Sequence, residues 1–160
     1  MIPKSAQTLI ETWRTGFIAT ADAEGRPNVS PKGTFLVVDD RTIAFAELRS
    51  PNTLANIAVR AEVEVNFLDV LSRKGVRVRG EARFAATEDA EAKALLPRFT
   101  TLFGEEFAKM VNGVVLIAVA ECRPLTSPIY DIGAEEAAVR ASYAERIANI
   151  HEVSKTGGAS

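Results

Sequence analysis

Histidine and cysteine are nearly absent from this chain of 160 residues, which holds one of each. The single cysteine, Cys122, excludes an intramolecular disulfide, and its neighbours Ala120 and Glu121 give no metal-ligand spacing. It reads as a small core or interface residue. The single histidine, His151, leaves a Ser-His-Asp or Cys-His set and a multi-histidine metal site without parts. Neither sign of charge predominates: 19 Lys and Arg stand against 21 Asp and Glu, so no basic field recruits a nucleic acid. No run approaches the ~18 apolar residues of a membrane span, and MIPKSAQTLIETW lacks a signal peptide's apolar stretch. A cytoplasmic protein without a membrane partner is expected. Neither GxGxxG nor a P-loop lysine occurs, which removes support for a Rossmann or NTPase site.

What is present is a globular composition, 47% hydrophobic and 25% charged, in a chain long enough to bury a core as one domain. After Ser5, Ala6, Leu9, Ile10 and Trp13 fall at helical spacing. FIATA (17–21) and the segment around NVSPK flank the turn residues Gly25 and Pro27, and TFLVVD (34–39) and TIAFAEL (42–48) flank Asp39-Asp40-Arg41, so two hairpins are expected. Ser50-Pro51 predicts a capped helix through NTLANIAVR, with strands at 63–69 and 76–84 after it. A helix over 87–99 from a Thr87 cap, interrupted by Pro97, a long strand at 113–125 and a helix from Gly133 complete the chain. This order predicts a mainly β fold, a six-stranded antiparallel barrel with added helices. Residues 1–132 form the barrel domain, and 133–160 a C-terminal helix and tail of the same domain.

One stretch breaks the strand pattern. In RPNVSPKGTFLV a lysine, Lys32, stands between Pro31 and Gly33 inside apparent β-structure, as if the backbone there approached something the lysine touches. Ser30, Lys32 and Gly33, with Ser50, Asn52, Thr53 and Asn56, place a cation and several donors near a helix start, which is what a phosphate requires. Any capped helix after a hairpin has a similar start. In VRVRGEARF, Arg77, Arg79, Glu81 and Arg83 share one face, either a solvated face with cross-strand pairs or a polar interface and rim of an anion site.

The ordered set GFIATADAEGRPNVSPKG, TIAFAELRSPNTLANI, VEVNFLDV and VRVRGEARF resembles the pyridoxamine 5′-phosphate oxidase-like, FMN-binding split-barrel proteins over roughly residues 5 to 125. The resemblance implies a split β-barrel that works as a homodimer, with FMN in the grooves between two chains. Lys32 in NVSPKG, with Ser30, Pro31 and Gly33, takes the place of the family's flavin-facing lysine. By the same resemblance Ala46 and Glu47 line the ring, Ser50, Asn52 and Thr53 meet the phosphate, and Asn66 and Arg77 reach in from the partner chain.

The oxidase proper has an Arg-Lys pair where this chain has Asn52-Thr53 and a glutamine where it has Gly75. Its C-terminal arginine and histidine segment has no counterpart in SYAERIANIHEV, so vitamin B6 oxidation is not expected. The implied function is FMN-dependent oxidoreduction of a small molecule, with NAD(P)H as a candidate donor. Two alternatives remain open: a non-catalytic flavin carrier or sensor, and a haem-binding split barrel that uses His151.

Overall fold

The computed structural model describes the backbone of residues 1–156 and the side chains of residues 1–150. Helix α1 (Lys4–Trp13) buries Ala6 and Ile10, the stripe expected from its spacing. It starts after Pro3, one residue ahead of Ser5, and Arg14 ends it in a left-handed conformation. Seven strands form one antiparallel sheet: β1 (Gly16–Ala21), β2 (Pro27–Lys32), β3 (Leu36–Val37), β4 (Thr42–Glu47), β5 (Glu62–Asp69), β6 (Lys74–Ala86) and β7 (Gly113–Thr126). Their spatial order is β2-β1-β5-β6-β7-β4-β3.

The architecture is the mainly β fold expected, with seven strands in place of six and a sheet that does not close, since β2 and β3 are its unpaired ends. All seven strand segments read from the sequence form, although the one at 34–39 pairs only at Leu36 and Val37. Thr34 meets β4 through its hydroxyl, which accepts from Ala46 N at 3.1 Å and donates to Ala46 O at 3.3 Å. Phe35 N donates instead to Arg14 O at 3.1 Å.

Two apolar cores flank β4, β6 and β7. The larger lies inside the curled sheet, where Phe35 packs edge-on against Phe45 and Phe67 with centroids 5.2 and 4.7 Å away. The smaller lies under α3 (Ala90–Phe103), which buries Ala92, Leu95 and Phe99. Helix α3 runs through Pro97 rather than breaking there and is preceded by Asp89, not a Thr87 cap. In β7, Val115 and Ile117 enter the larger core, while Val114 and Leu116 enter the smaller. Both faces of its first half, GVVLI, are therefore covered within one chain, while Ala118 and Ala120 beyond it are exposed.

Beyond the short helix α4 (Glu105–Ala108) and strand β7, helix α5 (Glu136–Thr156) begins three residues after Gly133, which sits in the preceding turn at φ 87°. It docks on the β5–β6 turn through charge. Arg140 donates to Asp69 at 2.5 Å, and Lys74 pairs with Glu136 at 2.7 Å. Burial pushes the Asp69 carboxyl up, but hydrogen bonds from Ser72 and Leu71 and the Arg140 charge outweigh it and hold the group below the usual carboxylate value. A lowered carboxylate stabilises the fold above its unfolded value, and that contribution is lost as pH falls through the folded one. Asp69→Ala is expected to cost about 2 kcal/mol at neutral pH and to lower the melting midpoint by about 4–8 °C, measured by thermal denaturation. An unchanged midpoint would show that these contacts hold nothing. No helix among the described residues is long and apolar enough to cross a membrane.

Candidate functional site

Alternation along β2 turns Asn28, Ser30 and Lys32 inward and Pro27, Val29 and Pro31 outward. The inward row faces α2 (Pro51–Val59) and the end of β4. Thr20 on β1 fixes this arrangement by accepting from Asn28 Nδ2 at 3.2 Å and from Asn56 Nδ2 at 2.9 Å, which ties two strands to one helix. Lys32 Nζ donates to Ser30 Oγ at 2.6 Å and lies 5.8 Å from the Phe45 ring centroid, so the curl of the sheet brings β2 close to β4 although the two do not pair. Burial pulls the Lys32 ammonium below the ordinary lysine value, and the Glu47 charge partly restores it.

Glu47 is 2% exposed, and Ser50 satisfies it. Ser50 N donates to Glu47 Oε1 at 2.6 Å, and the Ser50 hydroxyl donates to Oε2. Ser50 stands at the helix start as expected but makes no side-chain cap, and both of its donors go to the carboxylate three residues earlier. A cleft of about 200 Å³ opens between β2 and this helix start, lined by Asn28, Ser30, Arg49, Ser50, Asn52 and Thr53 with Val29 and Pro51. The N–H groups of Asn52 and Thr53 have no acceptor among the described residues. With Lys32 beside Ser30 and Arg49 on the rim, the donor set is that of an anion site.

The structure thus brings Ser30, Lys32, Glu47, Ser50, Asn52 and Thr53 together. Ala46 turns the other way, into the smaller core, because successive residues of a strand face opposite sides. Its backbone is engaged by Thr34. Pro31 is on the outer face, and Gly33 is exposed with no atom within 4 Å of where a Cβ would stand, so nothing in this chain requires a glycine there. Asn66 and Arg77 form a cross-strand rung on the outer face, with Arg77 Nε 3.2 Å from Asn66 Oδ1 and 3.2 Å from Glu64 Oε1. Within one chain they do not reach the cleft. Arg79 pairs with Glu64 and Arg83 with Glu91, so the VRVRGEARF row is a paired, solvated face in the single chain. The His151 side chain lies outside the described residues.

Sequence reasoning missed Arg49 and Asn28. Asn28 shares the period-two row of Ser30 and Lys32, a signal that was there to read. Arg49 directly precedes the Ser50-Pro51 helix start, where a guanidinium meets any anion held by that start.

Residues 2–122 match the family model described as pyridoxamine 5′-phosphate oxidase. The chain belongs to that family. Its sheet is accordingly the family's split-barrel architecture. Among solved structures, HupZ of Group A Streptococcus is 28% identical over 79% of this chain and 96% of its own, with a TM-score of 0.68. Two more distant structures share the fold. An FMN-binding protein of Syntrophomonas wolfei is 19% identical over 76% of this chain and 84% of its own, with a TM-score of 0.63. HutZ, the haem storage protein of Vibrio cholerae, is 18% identical over 78% of this chain and 94% of its own, with a TM-score of 0.61. None of the curated proteins matches the chain.

Proposed function

We propose that this member of the family is a cytoplasmic FMN-binding oxidoreductase of a small molecule, working as a homodimer with NAD(P)H as electron donor. The observation that carries the reading is the cleft at the start of α2, where Arg49 and two unengaged backbone N–H groups line a space suited to one terminal phosphate and Lys32 is bonded to Ser30 on its wall. The donor set fits FMN, whose phosphate is a dianion on a flexible chain. When bound, FMN supplies hydride or electron transfer. The chain's part is to hold the phosphate with Asn52, Thr53 and Arg49, to present Lys32 to the ring or its phosphate, and to keep water out.

The homodimer is supported by the outer face of β1 and β2. Phe17 and Val29 are 50% and 62% exposed, beside Ala19, Ala21 and the two outward prolines, which is a large apolar patch for a solitary chain. Asn66 stands opposite Phe17, so a partner packed on this patch meets Asn66 and Arg77 at its edge. Light-scattering mass at micromolar concentration decides the assembly, and a monomer that binds flavin fully would sink the shared groove. Mixing the FMN-loaded protein with NADPH without oxygen tests the chemistry: bleaching of the flavin band supports an oxidoreductase, whereas a band that persists with every donor supports a carrier. The haem storage protein of the same fold favours haem as the second reading, and a Soret band after haem addition, with no response to FMN, would establish it.

Glu47 opposes the anion. Its carboxylate occupies the helix start that the phosphate approaches, so Glu47→Gln is expected to tighten FMN binding about 2- to 5-fold, measured by fluorescence titration. Weaker binding in that variant would mean that Glu47 positions the cofactor rather than repelling it.

A further inference from the structure

Val139 is buried, and beyond it α5 meets the β5–β6 turn through Arg140 on Asp69 and Tyr143 on Arg73. The space between them is a groove of about 500 Å³. Its apolar walls are Leu68, Val70, Ile147 and Ile150, and three of these are well exposed, at 46%, 41% and 59% for Leu68, Val70 and Ile150. Its polar groups are Arg73, Tyr143 and Arg146, so two cations and no carboxylate line it among the described residues. Glu145 lies on a neighbouring groove along the same helix, with Ser142 and Asn149.

Arg73 decides what the groove is for. Its φ is 57°, a left-handed conformation in which glycine or asparagine is at ease and a long side chain is not. The turn itself is closed by Arg73 N donating to Asp69 O at 2.8 Å, a bond that any non-proline residue makes. The side chain lies instead against Tyr143, with the guanidinium carbon 5.2 Å from the ring centroid and a hydrogen bond to the phenol oxygen. A residue poorly suited to its turn therefore supplies a cationic wall to an apolar groove.

We propose that this groove binds a small organic acid, one carboxylate on an apolar body, with the acid group toward Arg73 and Arg146 and the body against the aliphatic walls. Charge selects this occupant, because an apolar segment of another chain would bury two guanidiniums without a counter-ion. The site is separate from the α2 cleft, and the inference does not depend on the flavin reading.

The test uses the full chain with excess FMN present and anilinonaphthalene sulfonate as a fluorescent apolar anion. One saturable site per chain is expected, with displacement by decanoate. The neutral N-phenylnaphthylamine should bind about tenfold more weakly or worse, and Arg73→Gly and Arg146→Gln should each weaken the anionic probe by about the same factor. Arg73→Gly should melt no lower than the parent, since glycine suits the turn. Equal binding of the neutral probe, displacement by FMN, or unchanged affinity in both variants would overturn the proposal. So would the absence of saturable binding, which is what a second copy covering the groove would give. A marked drop in the Arg73→Gly midpoint would assign Arg73 to the fold and also overturn it, with Arg146→Gln still reporting on the ligand.

Discussion

Lys32→Met is expected to lower FMN affinity about 10- to 150-fold, because it keeps most of the apolar stem and removes a charge-assisted hydrogen bond worth roughly 1.5–3 kcal/mol. The half-buried ammonium now has Ser30 as its hydrogen-bond partner and Glu47 as its charged neighbour. Because burial already disfavours its charged form, an incoming anion restores that form, which makes the lysine more responsive to a phosphate or reduced flavin than a solvated one would be. Fluorescence titration of parent and variant with FMN measures the effect. A solvent-facing lysine in an irregular strand would leave affinity unchanged and alter stability by no more than about 0.5 kcal/mol. A thermal melt of the variant without flavin separates lost binding from lost fold.

Gly80→Ala is expected to destabilise the protein by about 3 kcal/mol or more, lowering the melting midpoint by about 6–12 °C. Gly80 lies at the bulge where the pairing of β6 with β7 shifts register, and a Cβ there would stand 2.2 Å from the Ala118 carbonyl oxygen and 3.0 Å from Ile117 Cγ2. The carbonyl is backbone of β7, held between β6 and β4, so relief requires moving the sheet rather than rotating a side chain. Gly33→Ala is the control. With no atom near its Cβ position, it should change stability by no more than about 0.5 kcal/mol, while an effect on FMN binding would show that the cofactor passes that backbone. A mild Gly80→Ala phenotype would mean that the bulge is more plastic than its contacts imply.

The strands whose residues alternate, or whose run is bounded by turn chemistry, were legible in the sequence. β1, β2, β4 and β5 lie where the turns at Gly25-Pro27 and Asp39-Asp40 and the VEVNFLD pattern put them. What period and punctuation do not encode is pairing. Phe35 spends its N–H on Arg14, and Thr34 engages β4 through a hydroxyl, so an apparent six-residue strand shrinks to two residues. The doubly apolar β7 could equally have been covered by a second chain or by α3, and only the fold shows that α3 does it.

The site was legible in its parts and less so in their connections. Lys32 stood out because Pro31 and Gly33 interrupt a strand, and the start of α2 because Ser50-Pro51 announces a helix. That Glu47 would take both donors of Ser50 follows from a turn geometry at residues 47–50 that composition does not specify. The opposite facing of Ala46 and Glu47 follows from strand alternation alone.

Titration of the purified protein with FMN and with riboflavin, under identical conditions, tests the central claim most directly, because the two ligands differ only in the phosphate that the α2 cleft is held to bind. FMN is expected to bind tighter by at least about tenfold, the worth of one charge-assisted contact. Equal affinity for the two would contradict it.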